Sequence, residues 1–285
     1  MDRQIIINAD DFGLCEGVNR AVVKAHREGV LTSATIMANM PAAEEAVKLA
    51  KQNPSLGVGV HLNLFKGIPL SKEAFIDSLV DEEGRFACSI FKLSLLSIVI
   101  HKFRNAIKAE LSAQIQWVID NGLKPTHLDS HKHIHSFPAI YPMVCELAKR
   151  FAISAVRWPY EPKQASKVPW PLPVEGGRKA AMQLRTMAKI NRVQDSRLIK
   201  TKALLGVAHL GKIDENFFKA VSLYNTESVA EVMTHPGFAD GIDPQQTSMV
   251  RQREIELNAL CSDKTKEYLN KAGIKLVHFG ELGQD

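Results

Sequence analysis

Two adjacent aspartates, Asp10 and Asp11, stand just after the apolar run Ile5-Ile6-Ile7, and four of the chain's ten histidines fall between positions 127 and 135. Neighbouring carboxylates repel one another, and a bound cation or a cationic side chain relieves the repulsion. Imidazole nitrogen with carboxylate oxygen is the donor set of a catalytic divalent ion: zinc where histidine dominates, magnesium or manganese where carboxylate and water do. The aspartates alone read as a strand end that caps the next helix. The histidine cluster turns the reading toward a metal site. Its geometry stays open: in an extended segment His131, His133 and His135 share a face, whereas in a helical turn only His131 and His135 do. His61, in an apolar stretch that also holds Asn63, needs partners for its ring nitrogens. His26, His101 and His278 read as ordinary satisfied histidines, and His127 as a structural strand residue.

Short apolar strands must carry these groups. Candidate strands cover 5–7, 32–38, 56–64, 125–129, 153–158, 204–209, 229–235 and 275–279, with helices over 17–29, 42–52, 104–121, 138–150, 178–192 and 252–272. About eight strand–helix units in a chain of this length is the size of a (β/α) barrel. The fold class is therefore α/β: a TIM-like (β/α) barrel, incomplete or distorted, as one domain over 1–285, with a doubly wound open sheet as the alternative. Asp10, Asp11, His61, His131, Arg157, His209 and His235 all lie in or just beyond the C-terminal half of a strand. One barrel mouth would collect them. The alternation lapses in a lid-like insertion around 66–123, whose segment 87–100 is strongly apolar. That segment is too short to span a bilayer but suits an oily lid, an interfacial segment, a barrel cap or a dimer contact.

A 45% hydrophobic, 24% charged composition is that of an ordinary globular chain and argues against disorder. The net charge of +5 is mild, and the basic residues are spread out except around 178–202, which argues against nucleic-acid binding. Cys15, Cys88, Cys145 and Cys261 are far apart, the pattern of reduced thiols rather than of a disulfide framework or a thiolate zinc site. No apolar, positively charged leader precedes Asp10, so the expected location is cytoplasmic.

Four blocks carry a resemblance: Asn-Ala-Asp-Asp-Phe-Gly at 8–13, Gly-Val-His-Leu-Asn at 59–63, Thr-His-Leu-Asp-Ser-His-Lys-His-Ile-His at 126–135 and His-Pro-Gly-Phe at 235–238. In this order they resemble the signature blocks of the YdjC-like carbohydrate deacetylases, which include chitooligosaccharide deacetylase. The resemblance implies one divalent ion, magnesium or zinc, on Asp11, His61 and His131, with Asp10 as general base and His235 as general acid. His133 and His135 would support the site or contact the substrate. Beside them, Asn63 reads as a further support or contact residue, His209 as lining the sugar site or capping its strand, and Asp129 as a ligand or, in the usual arrangement, as acceptor of a ring N–H from a ligating histidine. Arg157 resembles the arginine that steadies the base in related polysaccharide deacetylases. A surface salt bridge is its equal alternative. The resemblance further implies a barrel, often distorted, and a homodimer. Lys132 departs from it, standing where chitooligosaccharide-type members can carry another histidine.

The implied reaction is acetyl removal from an N-acetylated amino sugar, in a chitooligosaccharide or in an N-acetylglucosaminyl lipid. The loop Trp-Pro-Tyr-Glu-Pro at 158–162 resembles the hopanoid-biosynthesis branch, which implies a hopanoid precursor as the lipid. Segment 87–100 and the basic residues Arg178, Lys179, Arg185, Lys189 and Arg192 would suit peripheral contact with the inner membrane surface. Two other classes compete: another metal-dependent amidase or phosphoesterase on the same barrel, and a non-catalytic sugar-binding protein. The last would not need both Asp10 and His235.

Overall fold

The structure, a computed structural model, describes residues 3–72, 75–163, 168–191, 198–224, 228–242 and 247–283. Its strands are β1 (Arg3–Phe12), β2 (Ser33–Ile36), β3 (Gly57–Leu62), β4 (His127–Ser130), β5 (Ala155–Val156), β6 (Ala203–Leu205), β7 (Ala230–Thr234) and β8 (Ile274–Leu276). All pair in parallel, in the order β5-β4-β3-β2-β1-β7-β6, and β8 pairs with the first residues of β1. Parallel strands covered on both faces are apolar throughout, and β1 is buried from Ile5 to Phe12.

Alternation along β1 sorts two layers. Ile5, Ile7 and Ala9 pack into the large core shared with the helices, while Ile6 packs with Ala155, Val277 and Phe279 in a small cluster at the floor of the barrel. His127 stacks on Phe279 at 3.9 Å between ring centroids, the structural role expected for it. A Cβ on Gly59 would come within 2.6 Å of the His127 ring, so only glycine fits beneath it.

The sheet curls until its ends meet. On either side of two-residue β5, the Ile199 N–H donates to the Ser154 carbonyl at 2.9 Å, and the Leu204 N–H donates to the Tyr160 carbonyl at 2.9 Å. This is the α/β barrel expected from the sequence in a distorted form, with a short seam between β5 and β6 in place of a ladder.

Around the sheet lie α1 (Glu16–Glu28), α2 (Ala43–Lys51), α3 (Ile90–Val99), α4 (His101–Asp120), α5 (Tyr141–Arg150), α6 (Gly177–Ile190), α7 (Glu215–Leu223), α8 (Arg251–Cys261) and α9 (Asp263–Lys271). The single helix expected over 252–272 is two, because extended Ser262 ends α8 and its hydroxyl accepts the Lys264 N–H to start α9. α7, capped by Asp214, is an element the sequence reading did not include. Within the insertion, α4 is a wall helix: Gln114 is buried and exchanges hydrogen bonds with the backbone of Asn63 at 2.9 and 2.7 Å. α3 instead leaves Phe91, Leu95, Ile98 and Val99 in solvent. α6 confirms a basic helix, although Arg192 lies outside the described residues.

Candidate active site

Successive strand residues point to opposite faces, so Asp10 and Asp11 would normally be separated by the sheet. The backbone prevents this. Asp11 adopts a left-handed φ of 66°, and the β1–β2 register slips between Ala9 and Phe12. That conformation costs most residues roughly 1–2 kcal/mol and aspartate less, since its short polar side chain hydrogen-bonds locally. Both carboxylates then reach one mouth, each 2% exposed.

Asp10 points along the inward row of β1. Arg157, at the end of β5, grips it with Nη1 at 2.7 Å and Nη2 at 2.6 Å. The same guanidinium reaches Asp129 at 2.9 Å and Glu231 at 2.7 and 2.8 Å. Arg157 is fully buried, which excludes the surface salt bridge. Burial alone would raise the Asp10 pKa, but Arg157 outweighs it and holds the carboxylate well below its usual range. Glu231, on β7, is pushed up to about 7 by burial.

Asp11 has a different set of partners. Its Oδ1 lies 3.0 Å from His131 Nδ1 and 3.4 Å from His61 Nε2. The other ring nitrogen of His61 is fixed by Asp129 at 2.7 Å, with the Thr35 hydroxyl at 3.1 Å, so Nε2 is turned toward Asp11. Burial would lower the His61 pKa, yet Asp129, Asp10 and Asp11 together lift it to about 10. Donor atoms of Asp11, His61 and His131 fall within 4.8 Å of one another. A carboxylate-backed imidazole, a second imidazole and one carboxylate fit a divalent ion. Asp10, His61 and Asp129 converge equally closely, but Arg157 and the His61 ring N–H already occupy those carboxylates, so the first cluster is the better cation site.

The histidine run takes neither geometry left open by its spacing. Residues His131–Ser136 form a short 3₁₀ turn in which Lys132 and His133 are left-handed. The turn sends His131 to Asp11 and His135 back to Ser130, whose hydroxyl also accepts the His135 N–H at 2.9 Å. His133 lies buried within electrostatic reach of Arg157, Asp10, His61 and His235, and burial, with Arg157 adding to it, brings its pKa down to about 3. The Lys132 ammonium lies over the Phe65 ring at 4.6 Å.

His235 closes the ring of candidates, its Nε2 3.9 Å from Asp10 Oδ2. Burial is the main cause that lowers its pKa to about 4, so the imidazole rests neutral. Asn63 serves its own loop, its amide bonded to Asn39, to the Lys66 carbonyl and to the N–H groups of Phe65 and Lys66. His209 stacks on Trp170, and its Nε2 meets the Pro171 carbonyl at 3.0 Å.

Three residues of this mouth were missed from sequence. Glu231 is a lone charge in an apolar strand, the signal that singled out His61, and it was open to the same argument. Arg253 and Glu256 sit three apart on α8, inside the helix expected over 252–272. Both are buried: Arg253 Nη2 meets Asp11 Oδ2 at 2.5 Å, and Glu256 accepts the His235 N–H at 2.6 Å with its carboxylate 3.9 Å from His235 Nδ1.

A curled parallel sheet with an Asp–His–His cluster and an arginine-held carboxylate at its C-terminal mouth defines the class of α/β-barrel hydrolases. The profile of the family described as YdjC-like protein matches residues 4–271, and the chain belongs to that family. A carbohydrate deacetylase of Brevibacillus brevis is 37% identical over 98% of this chain and 100% of its own. One from Geobacillus stearothermophilus is 34% identical over 99% of each. A crystal structure from Enterococcus faecalis V583, whose name links it to cellobiose-phosphate cleavage, shares the fold at a TM-score of 0.78, with 24% identity and 99% of both chains covered.

Proposed function

We propose that this protein is a metal-dependent carbohydrate N-deacetylase, its whole chain one catalytic domain. The observation that carries the reading is the pairing of an Asp11–His61–His131 cation site with Arg157-held Asp10, with His235 beside that carboxylate. A divalent ion on Asp11, His61 and His131 would polarise the acetyl oxygen and acidify the attacking water.

The chain's own residues do the rest. Arg157 keeps Asp10 ionised and fixes both its oxygens, so the carboxylate takes the water's proton as the oxygen bonds to the acetyl carbon. His235, neutral and 3.9 Å from Asp10, takes up a proton and delivers it to the departing nitrogen as the C–N bond breaks. Acetate and a free amine result. The test is acetate release from N-acetylglucosamine conjugates with and without chelator. Chelator should abolish release, and full activity of metal-loaded Asp10→Asn would overturn the base assignment.

A lipid-borne substrate, such as an N-acetylglucosaminyl hopanoid precursor, is favoured over a soluble chitooligosaccharide by one observation. α3 exposes Phe91 (77%), Val99 (65%) and Ile98 (60%) near basic Lys92 and Lys102, a surface suited to an anionic membrane. Among the described residues no helix is long and apolar enough to cross a membrane, so contact would be peripheral. Flotation with anionic liposomes tests it. No association, together with turnover of soluble chitobiose, would favour the soluble sugar, and a concentration-dependent dimer lost in Phe91→Ser would assign the α3 face to a second copy.

A further inference from the structure

The two oxygens of Asp11 are divided between different partners. Oδ1 faces His131 and His61 at 3.0 and 3.4 Å, while Oδ2 is taken by Arg253 Nη2 at 2.5 Å. Arg253 is 1% exposed, and its Nε and Nη1 find no hydrogen-bond partner among the described residues. A buried guanidinium that leaves two donors unmatched is poor stability engineering. Its place is nonetheless enforced. The Gly237 N–H donates to the Arg253 carbonyl at 3.2 Å, and a Cβ on Gly237 would come within 2.9 Å of Arg253 Cδ, so the loop after β7 is moulded to this side chain.

Neutralising Asp11 does not explain the arrangement, because a fixed cation beside a cation site opposes the uptake of a second one. Control over how many oxygens Asp11 can offer does explain it. Zinc sites are satisfied by a few ligand atoms, one from each residue, whereas larger, six-coordinate or higher ions readily use both oxygens of a carboxylate.

We infer that Arg253 is a positioning residue that sets the metal preference of the site, by occupying Oδ2 and restricting Asp11 to a single ligand oxygen. The inference rests on the reading of Asp11, His61 and His131 as metal ligands.

Metal-stripped wild type, Arg253→Met, Arg253→Lys and Asp11→Asn would be titrated calorimetrically with zinc and with manganese, alongside thermal melts. Arg253→Met should move the manganese-to-zinc affinity ratio toward manganese by about tenfold or more, the scale of effect typical of groups that hold a ligand. Arg253→Lys, which keeps a cationic donor, should stay near the wild-type ratio. An unchanged ratio in folded Arg253→Met, or equal weakening of both ions, would overturn the inference and leave Arg253 structural. If Arg253→Met does not melt cooperatively, Gly237→Ala displaces the guanidinium without removing its charge. It should shift the ratio in the same direction, and no shift there would equally overturn the inference. Asp11→Asn separates the two levels: if it binds both ions as wild type does, the metal-site reading itself fails, whatever Arg253 does.

Discussion

Arg157 and Arg253 are both buried guanidiniums paired with neighbouring aspartates of β1, yet they are held in opposite ways. Arg157 spends Nε, Nη1 and Nη2 on three carboxylates from three strands, Asp10 of β1, Asp129 of β4 and Glu231 of β7. Arg253 reaches in from a helix and, among the described residues, binds through Nη2 alone. A guanidinium whose three nitrogens are all engaged by carboxylates on three strands ties those strands together, because the groups in such a network depend on one another. A half-matched one holds a single group in a single pose. The strand side of the mouth is therefore architecture as well as chemistry, and the helix side adjusts it.

The largest expected effect tests that contrast directly. Arg157→Met strands three buried carboxylates and should cost about 3–5 kcal/mol or prevent folding, whereas Arg253→Met should cost clearly less, as read from denaturant melts. Equal losses would erase the distinction. Next, His235→Ala should lower kcat by roughly 10²–10⁴-fold while calorimetric metal affinity stays at the wild-type value. A parallel loss of metal would move His235 into the cation site.

A carboxylate outside the network sharpens the comparison. Glu161 accepts the N–H groups of Ala208 and Gly206, and burial raises its pKa from 4.5 to about 7. The folded state thus holds this proton more tightly than the unfolded chain does. Stability from this group is complete below pH 4.5 and declines as pH rises through about 7, by about 3 kcal/mol. Glu161→Gln should flatten that slope in melts taken across this range. An unchanged slope would mean that the carboxylate is ionised in the fold. The smallest effect is expected at Glu256→Gln, which can still accept the His235 N–H but removes a carboxylate whose pKa burial raises to about 7 and that lies 3.9 Å from Nδ1. It should lower kcat about tenfold with little change in KM.

The strand framework was legible because β1 to β4 are apolar runs with few competing readings, and the polar residues at their ends stood out against them. Asp10, Asp11, His61, His131 and Arg157 were selected on that basis, and the structure brings all five together. The division of labour between the aspartates was not legible in the residues, since it depends on one backbone angle at Asp11 that no side-chain pattern encodes. The His131–Ser136 turn escaped for the same reason, its two left-handed residues lying outside both templates applied to it. Arg253 and Glu256 were invisible because charges three apart on a helix look solvated. What buries them is the loop after β7, more than ten residues away in sequence. His209 and Asn63 satisfied the strand-end pattern, but the structure commits Asn63 to its own loop and ties His209 to Trp170 and Pro171.

The seam between β5 and β6 gives Arg157 a second significance. Where a ladder is missing, the barrel is cross-braced through its lumen, and the brace is the same guanidinium that orients the proposed base. In a random mutant library, positions 10, 129, 157 and 231 should therefore fail together at the level of soluble expression, before activity can be scored. Surviving variants at these sites should carry compensating changes at the others, so that the quartet behaves as one inherited unit with four addresses in the gene.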